Sequence, residues 1–210
     1  MESNPILPHR YFVLNKPYGM VSQFVSPDNV QLLSDLEFSF PEGTHAIGRL
    51  DGDSEGLLLL TTNKKITRLL FQGEVMHNRT YLVQVREVIS EATIEKMRAG
   101  LEIKGKGGGF YNTRPCQVKR VEKPADLFDP AGGYILHPSI RNSWITITLT
   151  EGKFRQVRKM CYESGHKVLR LIRISIEDLE LGDLLPGQLK ELSEADFFSL
   201  LKLPTEQVTG

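Results

Sequence analysis

The order of segments between Thr80 and Ile176 constrains this chain more than any other feature. Residues 80–88 alternate, with Tyr81, Val83 and Val85 assigned to one face and Leu82, Gln84 and Arg86 to the other, the period of a strand. Ser90 offers an N-cap to a helix holding Thr93 and Ile94, and Gly100 offers its stop. Residues 101–109 end in the mobile turn Gly105-Lys106-Gly107-Gly108-Gly109. Residues 111–121 and 144–150 read as strands, separated by a loop with Pro124, Pro130, Gly132, Gly133 and Pro138. Residues 153–164 read as a helix with Val157, Met160 and Cys161 inward and Gly165 at its end, and residues 167–176 as a buried strand. Strand, helix, strand, strand, helix, strand is the split βαβ order of a ferredoxin-like unit.

The flanks are less regular. Residues 11–14 read as a strand ending in the turn-like Asn15-Lys16-Pro17-Tyr18-Gly19, with residues 20–25 as its hairpin partner and residues 31–36 as a short helix. Residues 42–62 read as strand, polar loop, strand, followed by a helix over 64–72 capped by Asn63. Ser193 caps a last helix with Asp196 in its first turn. The expected fold class is α+β: one domain over 10–203, with lobes 10–76 and 77–192 sharing a mainly antiparallel mixed sheet, and tails at 1–9 and 204–210.

Composition narrows the function classes. No apolar run exceeds the four leucines from Leu57 to Leu60, far short of the roughly 20 residues of a membrane helix. No basic-then-apolar leader opens the sequence, and Cys116 and Cys161 form no CxxC, so a reducing cytoplasm suits the chain better than secretion. Lys plus Arg equals Asp plus Glu at 26 each, which excludes a globally basic nucleic-acid binder but leaves room for a local patch. Between Lys153 and Arg173 lie seven basic residues and one acidic, and between Glu177 and Asp196 seven acidic and one basic. Without a heptad or a broad apolar stripe, a monomer is expected.

Asp51, Asp53 and Glu55 crowd five residues, and carboxylates that close repel unless something uses or compensates them. The run imitates the opening of a calcium-binding EF-hand loop, but its twelfth position is Thr62 where a bidentate glutamate is needed. There is no Walker or Rossmann glycine pattern and no HxxH or HxxxH pair. Neither a metal nor a cofactor is expected.

The segment Gly48-Arg49-Leu50-Asp51-Gly52-Asp53-Ser54-Glu55-Gly56-Leu57-Leu58 resembles the GRLDxxSxGLLLLT signature of bacterial rRNA pseudouridine synthases, the RsuA branch. Three further stretches are similar to that family in the same order: Asn15-Lys16-Pro17-Tyr18-Gly19, Arg79-Thr80-Tyr81, and the run from Glu151 through Gln156-Val157-Arg158 to Met160. Leu171-Ile172-Arg173 and Leu184-Leu185-Pro186-Gly187 follow its C-terminal pattern, so the resemblance covers about residues 10 to 192. The chain departs from the family where Lys64-Lys65 replaces Asp-Gly after Asn63, and where Glu177 replaces a glycine. The S4 RNA-binding domain common in this branch has no counterpart before Tyr11, which is similar to a short member acting on 23S rRNA.

The resemblance implies that uridine in rRNA is isomerised without cofactor or metal: the bond from ribose C1′ to N1 breaks, the base turns, and C5 takes its place. It implies Asp51 as the carboxylate at the sugar, a nucleophile on C1′ or a base at C2′. Arg158 would keep that carboxylate charged, Tyr81 would stack on the flipped uracil, Leu171 would line the pocket below it, and Arg49 would hold the flipped nucleotide. Lys16, Lys153, Arg155, Lys159 and Arg173 are the candidates for the RNA backbone, while Asp53 and Glu55 read as loop or surface carboxylates. Two alternatives stay open: a catalytically silent RNA-binding module, and a nucleosidase that stops once the glycosidic bond is broken.

Overall fold

The computed structural model describes residues 8–71, 75–130 and 136–204. Strand β1 (Tyr11–Lys16) is buried along its whole length. A single 3-10 turn (Leu33–Asp35) and the short β2 (His45–Ile47) lead to β3 (Glu55–Thr61), which carries the leucine run. Asn63 Oδ1 accepts the Lys65 N–H at 3.1 Å ahead of helix α1 (Ile66–Phe71), and Gln72, the expected last residue of that helix, lies outside the described residues. β4 (Arg79–Arg86) follows, then α2 (Glu91–Ala99), capped by Ser90 and closed by Gly100 at φ 95° as expected.

Next come β5 (Glu102–Lys104) and β6 (Phe110–Asn112), a hairpin of its own, then β7 (Gln117–Val121) and β8 (Asn142–Leu149). The expected single strand over 111–121 is therefore two. Pro115 has no N–H to give a ladder, and the chain changes sheets there. Helix α3 (Gln156–Glu163) begins three residues later than expected, because Arg155 adopts a left-handed conformation at its N-cap. β9 (Val168–Ile176), β10 (Leu179–Glu180), β11 (Leu189–Leu192) and α4 (Glu194–Leu200) complete the order.

Nine strands form one sheet in the order β11-β1-β3-β9-β4-β8-β7, with β10 on β9 and β2 on β3. The β9-β4-β8-β7 half is the expected ferredoxin-like unit, in the order fourth, first, third, second. Alternation places Val83 and Val85 against α2 and α3, while Leu82 and Ile172 face a second core with Tyr11, Val13 and Phe197. The expected hairpin of residues 11–14 with 20–25 does not form. Both edges of β1 are taken, by β11 and β3, so Met20 makes only an isolated bridge to Gln31. β11 also returns from the expected second lobe to the first, so the lobe boundary is not a single cut in sequence.

The two halves meet at the only parallel ladder among the described strands, Glu55 with Ile172 and Gly56 with Arg173. Gly56 sits at φ 99°, and a Cβ there would lie 2.8 Å from Ile172 Cγ2 and 2.9 Å from Arg173 N. Glu55, expected as a loop or surface carboxylate, is 1% exposed and takes two hydrogen bonds from Arg170, at 2.8 and 2.9 Å. Arg170 Nη1 also donates to Phe128 O at 3.0 Å, tying the loop after β7 to the seam.

Removing one partner of a buried ion pair strands the other charge, at a cost of about 3–5 kcal/mol. Glu55→Gln is expected to lower urea unfolding stability by about that amount with an unchanged slope. A loss below about 1 kcal/mol, the size of an exposed pair, would show that Glu55 does not hold the seam.

Candidate active site

The turn carrying Asp51 is built by three local contacts. Ser54 N donates to Asp51 O at 3.0 Å, Gly19 N donates to Gly52 O at 2.7 Å, and Ser22 Oγ exchanges hydrogen bonds with the Leu50 backbone at 3.0 Å each. The 17–22 segment is itself held by Lys16, whose Nζ donates to Pro17 O at 2.8 Å and Met20 O at 2.6 Å. Lys16 is fully buried, and burial pushes its ammonium down to about 8 against the pull of Glu55, Asp53 and Asp51. It is therefore corrected from a backbone contact for RNA to an internal strut of the Asp51 loop.

Above this loop sits Arg155. Its guanidinium makes a forked pair with Asp53, Nη1 to Oδ1 at 3.0 Å and Nη2 to Oδ2 at 2.7 Å, and its Nη1 lies 3.5 Å from Asp51 Oδ2. Arg158, expected beside Asp51, lies against Asp53 instead: Nε stands 3.4 Å from Oδ2, and Nη2 donates to the Asp53 carbonyl. The helix start explains the exchange. With α3 beginning at Gln156 and Arg155 at φ 53°, Arg155 is swung over the acidic turn. Asp53 does sit on a turn, as expected, but its half-buried carboxylate is paired rather than free. Burial would raise its carboxyl, but the Arg155 hydrogen bonds and the charges of Arg158 and Arg155 outweigh burial and hold it below the ordinary range.

Asp51 lines a cavity of about 640 Å³ together with Arg49, Tyr81 and Leu171. Tyr81 comes from β4 and Leu171 from β9, on one face of the sheet because Val83 pairs with Leu171. Lys153 and Arg155 line the same cavity from the loop before α3. Arg158 does not; it borders a smaller recess with Tyr18 and Tyr162.

The basic run from Lys153 to Arg173 is not one solvated surface. Lys159 Nζ donates to Lys104 O at 2.6 Å and stands 5.2 Å from the Phe154 ring; Arg170 serves Glu55; Arg173 is buried in the cavity wall rather than set on an outer face. Arg49 and Lys153 are exposed at the cavity. Among the described residues no three His, Cys, Asp or Glu side chains converge as a metal site requires.

Sequence reasoning missed Glu151. Its carboxylate accepts from Tyr111 Oη, Arg114 N and Gln156 Nε2, joining the β5–β6 hairpin to the start of α3. The position of Arg155, three residues before Arg158 and so on the same side of a continued helix, was the available signal for its place at the acids.

Residues 10–163 match the model of the RNA pseudouridylate synthase family, and the chain belongs to that family, whose members are isomerases. Among curated proteins it is similar to "Ribosomal large subunit pseudouridine synthase E" of Vibrio parahaemolyticus, 37% identical over 183 residues, 87% of this chain and 74% of that one. A protein of the same name from Xanthomonas campestris pv. campestris is 34% identical over 176 residues, 84% of this chain and 91% of that one. A solved "pseudouridylate synthase" superposes with a TM-score of 0.72 at 27% identity, over 93% of this chain and 75% of that one.

Because Asp53 titrates below its ordinary value in the folded chain, its pairing contributes fully above the unfolded value of about 3.9 and is lost as pH falls through the folded one. Asp53→Asn is expected to lower the melting temperature at pH 7, with the gap to wild type closing below about pH 4. A gap that persists undiminished at pH 2 would show that the ion pair is not its source.

Proposed function

We propose that this chain isomerises uridine to pseudouridine in large-subunit rRNA, in the cytoplasm, with Asp51 acting at the ribose. The observation that carries this reading is the single cavity in which Asp51, Arg49, Tyr81 and Leu171 meet, with the Arg155 guanidinium 3.5 Å from Asp51. The names of the relatives support rRNA of the large subunit as substrate.

The target uridine leaves its helix and enters the cavity. Tyr81 presents a flat face to the uracil and Leu171 an apolar floor. Asp51 acts on C1′ as nucleophile or on C2′ as base; C1′–N1 breaks, C1′–C5 forms, N1 gains a proton and C5 loses one. Atoms balance within the nucleotide plus one proton exchange, so no co-reactant enters. Arg49 and Lys153, exposed at the cavity, meet the RNA backbone. Among the described residues no helix is long and apolar enough to cross a membrane.

Unmodified 23S rRNA carrying tritium at uracil C5 tests the reading. Wild type is expected to release tritium with no added cofactor and no free uracil, and Asp51→Asn to release it at least about 10³-fold more slowly. Free uracil would turn the reading to a nucleosidase, and equal release by Asp51→Asn would remove Asp51 from the chemistry. A primary isotope effect with deuterium at C2′ separates the base from the nucleophile.

A further inference from the structure

Arg79 and Arg173 stand out because both are buried cations without a counter-charge. They are 6% and 3% exposed, and both line the cavity that holds Asp51 and Tyr81. Among the described residues neither makes an ion pair with a carboxylate, and Arg79 donates no hydrogen bond. Its Nε is shut away from solvent without an acceptor, and its guanidinium lies 4.6 Å from the Phe71 ring. Arg173 spends Nε on Leu57 O at 2.7 Å and leaves Nη2 buried without an acceptor. Glu177 at the end of β9 and Glu151 in the cavity wall are engaged elsewhere: Glu177 with Lys202, His77 and Asn78 N, and Glu151 with Tyr111, Arg114 N and Gln156.

The strands converge on this arrangement. Arg79 and Tyr81 are two apart on β4 and share a face. Arg173 reaches that face by alternation from Leu171: Tyr81 pairs with Arg173 and Val83 with Leu171 in continuous register, and the register shift lies just beyond, between Thr80 and Tyr81, where Ile174 is the extra residue. Burial lowers the Arg79 guanidinium below its ordinary value, and the Arg173 charge adds to the effect. Two like charges in a low-dielectric wall cost stability unless an anion repays them.

We propose that Arg79 and Arg173 form a phosphate-binding subsite in the wall of the cavity, which takes one of the two phosphodiesters flanking the flipped uridine. The ligand class rests on the reading of the cavity as a uridine site; the charge pattern does not. A neutral pocket for the uracil carbonyls needs donors but no doubled positive charge, whereas a phosphodiester supplies the missing anion and acceptors for several N–H groups at once.

Calorimetric titration of the full-length protein with uridine, uridine 3′-monophosphate and uridine 5′-monophosphate tests it without requiring turnover. One of the monophosphates, which identifies the side, is expected to bind about tenfold more tightly than uridine. In Arg79→Met and in Arg173→Gln that advantage is expected to fall below about twofold, with far-ultraviolet circular dichroism confirming the fold. In wild type alone, added salt is expected to erode the advantage while leaving uridine binding unchanged, a reading that stands if a variant fails to fold. Equal binding of all three ligands by wild type, or an advantage kept in both folded variants, overturns the subsite. Turnover of rRNA without phosphate preference also overturns it and leaves the isomerase reading intact. Phosphate preference without turnover on any rRNA supports the subsite and counts against that reading.

Discussion

The site depends on a parallel ladder two residue pairs long. One half of the sheet carries Asp51 on the loop before β3; the other carries Tyr81, Leu171 and the loop before α3. Among the described strands, the sheet joins them only where Glu55 and Gly56 lie beside Ile172 and Arg173. A ladder that short contributes little by itself. It is held by the forked Glu55–Arg170 pair on one face and by Arg173 Nε on the Leu57 carbonyl. Gly56 lets the backbones approach where any Cβ would collide with β9. At the seam, the approach of the acidic turn to the wall that faces it therefore depends on one glycine and one buried ion pair, and across the site on the Arg155–Asp53 fork.

The elements that were legible are those whose signal is local. Ser90, Gly100, Ser193 and Asn63 act at helix ends through hydrogen bonds within three residues, and their effect is readable from short windows. The alternation of β4 survived because one of its faces packs on α2 and α3. What sequence did not show depends on who a neighbour is. Residues 20–25 have strand composition but no free edge to pair with, because β11 arrives from far along the chain, Leu189 pairing with Leu14, to occupy it. Lys16 and Glu55 look like solvated charges in a one-dimensional reading and are the most buried ionised groups of the site.

The site was legible in its members and not in its wiring. Asp51, Tyr81, Leu171 and Arg49, singled out by the motif resemblance, line one cavity. The arginine beside Asp51 is Arg155 rather than Arg158, and the cause is a single left-handed residue at the N-cap of α3. No pattern of hydrophobicity reports that conformation in a non-glycine residue. It persists because the forked pair to Asp53 and the hydrogen bonds around Glu151 fix the loop on both sides.

That wiring gives the second aspartate a function that needs no contact with substrate. A guanidinium shared equally by Asp51 and Asp53 would spend hydrogen bonds on both. Here both forked hydrogen bonds go to Asp53, and Asp51 receives only the longer 3.5 Å ionic contact. Among the described residues no side chain donates a hydrogen bond to the Asp51 carboxylate. A group that must form a bond or take a proton works best with unspent lone pairs, because each charge-assisted hydrogen bond it accepts has to be weakened in the transition state. Asp53 thus satisfies Arg155, Arg155 fixes the field over Asp51, and the Asp51 oxygens stay open toward the cavity. The three crowded carboxylates of the sequence divide the work: Glu55 closes the sheet, Asp53 holds the arginine, and Asp51 is left facing the cavity without a side-chain donor, as the proposed role at the ribose requires.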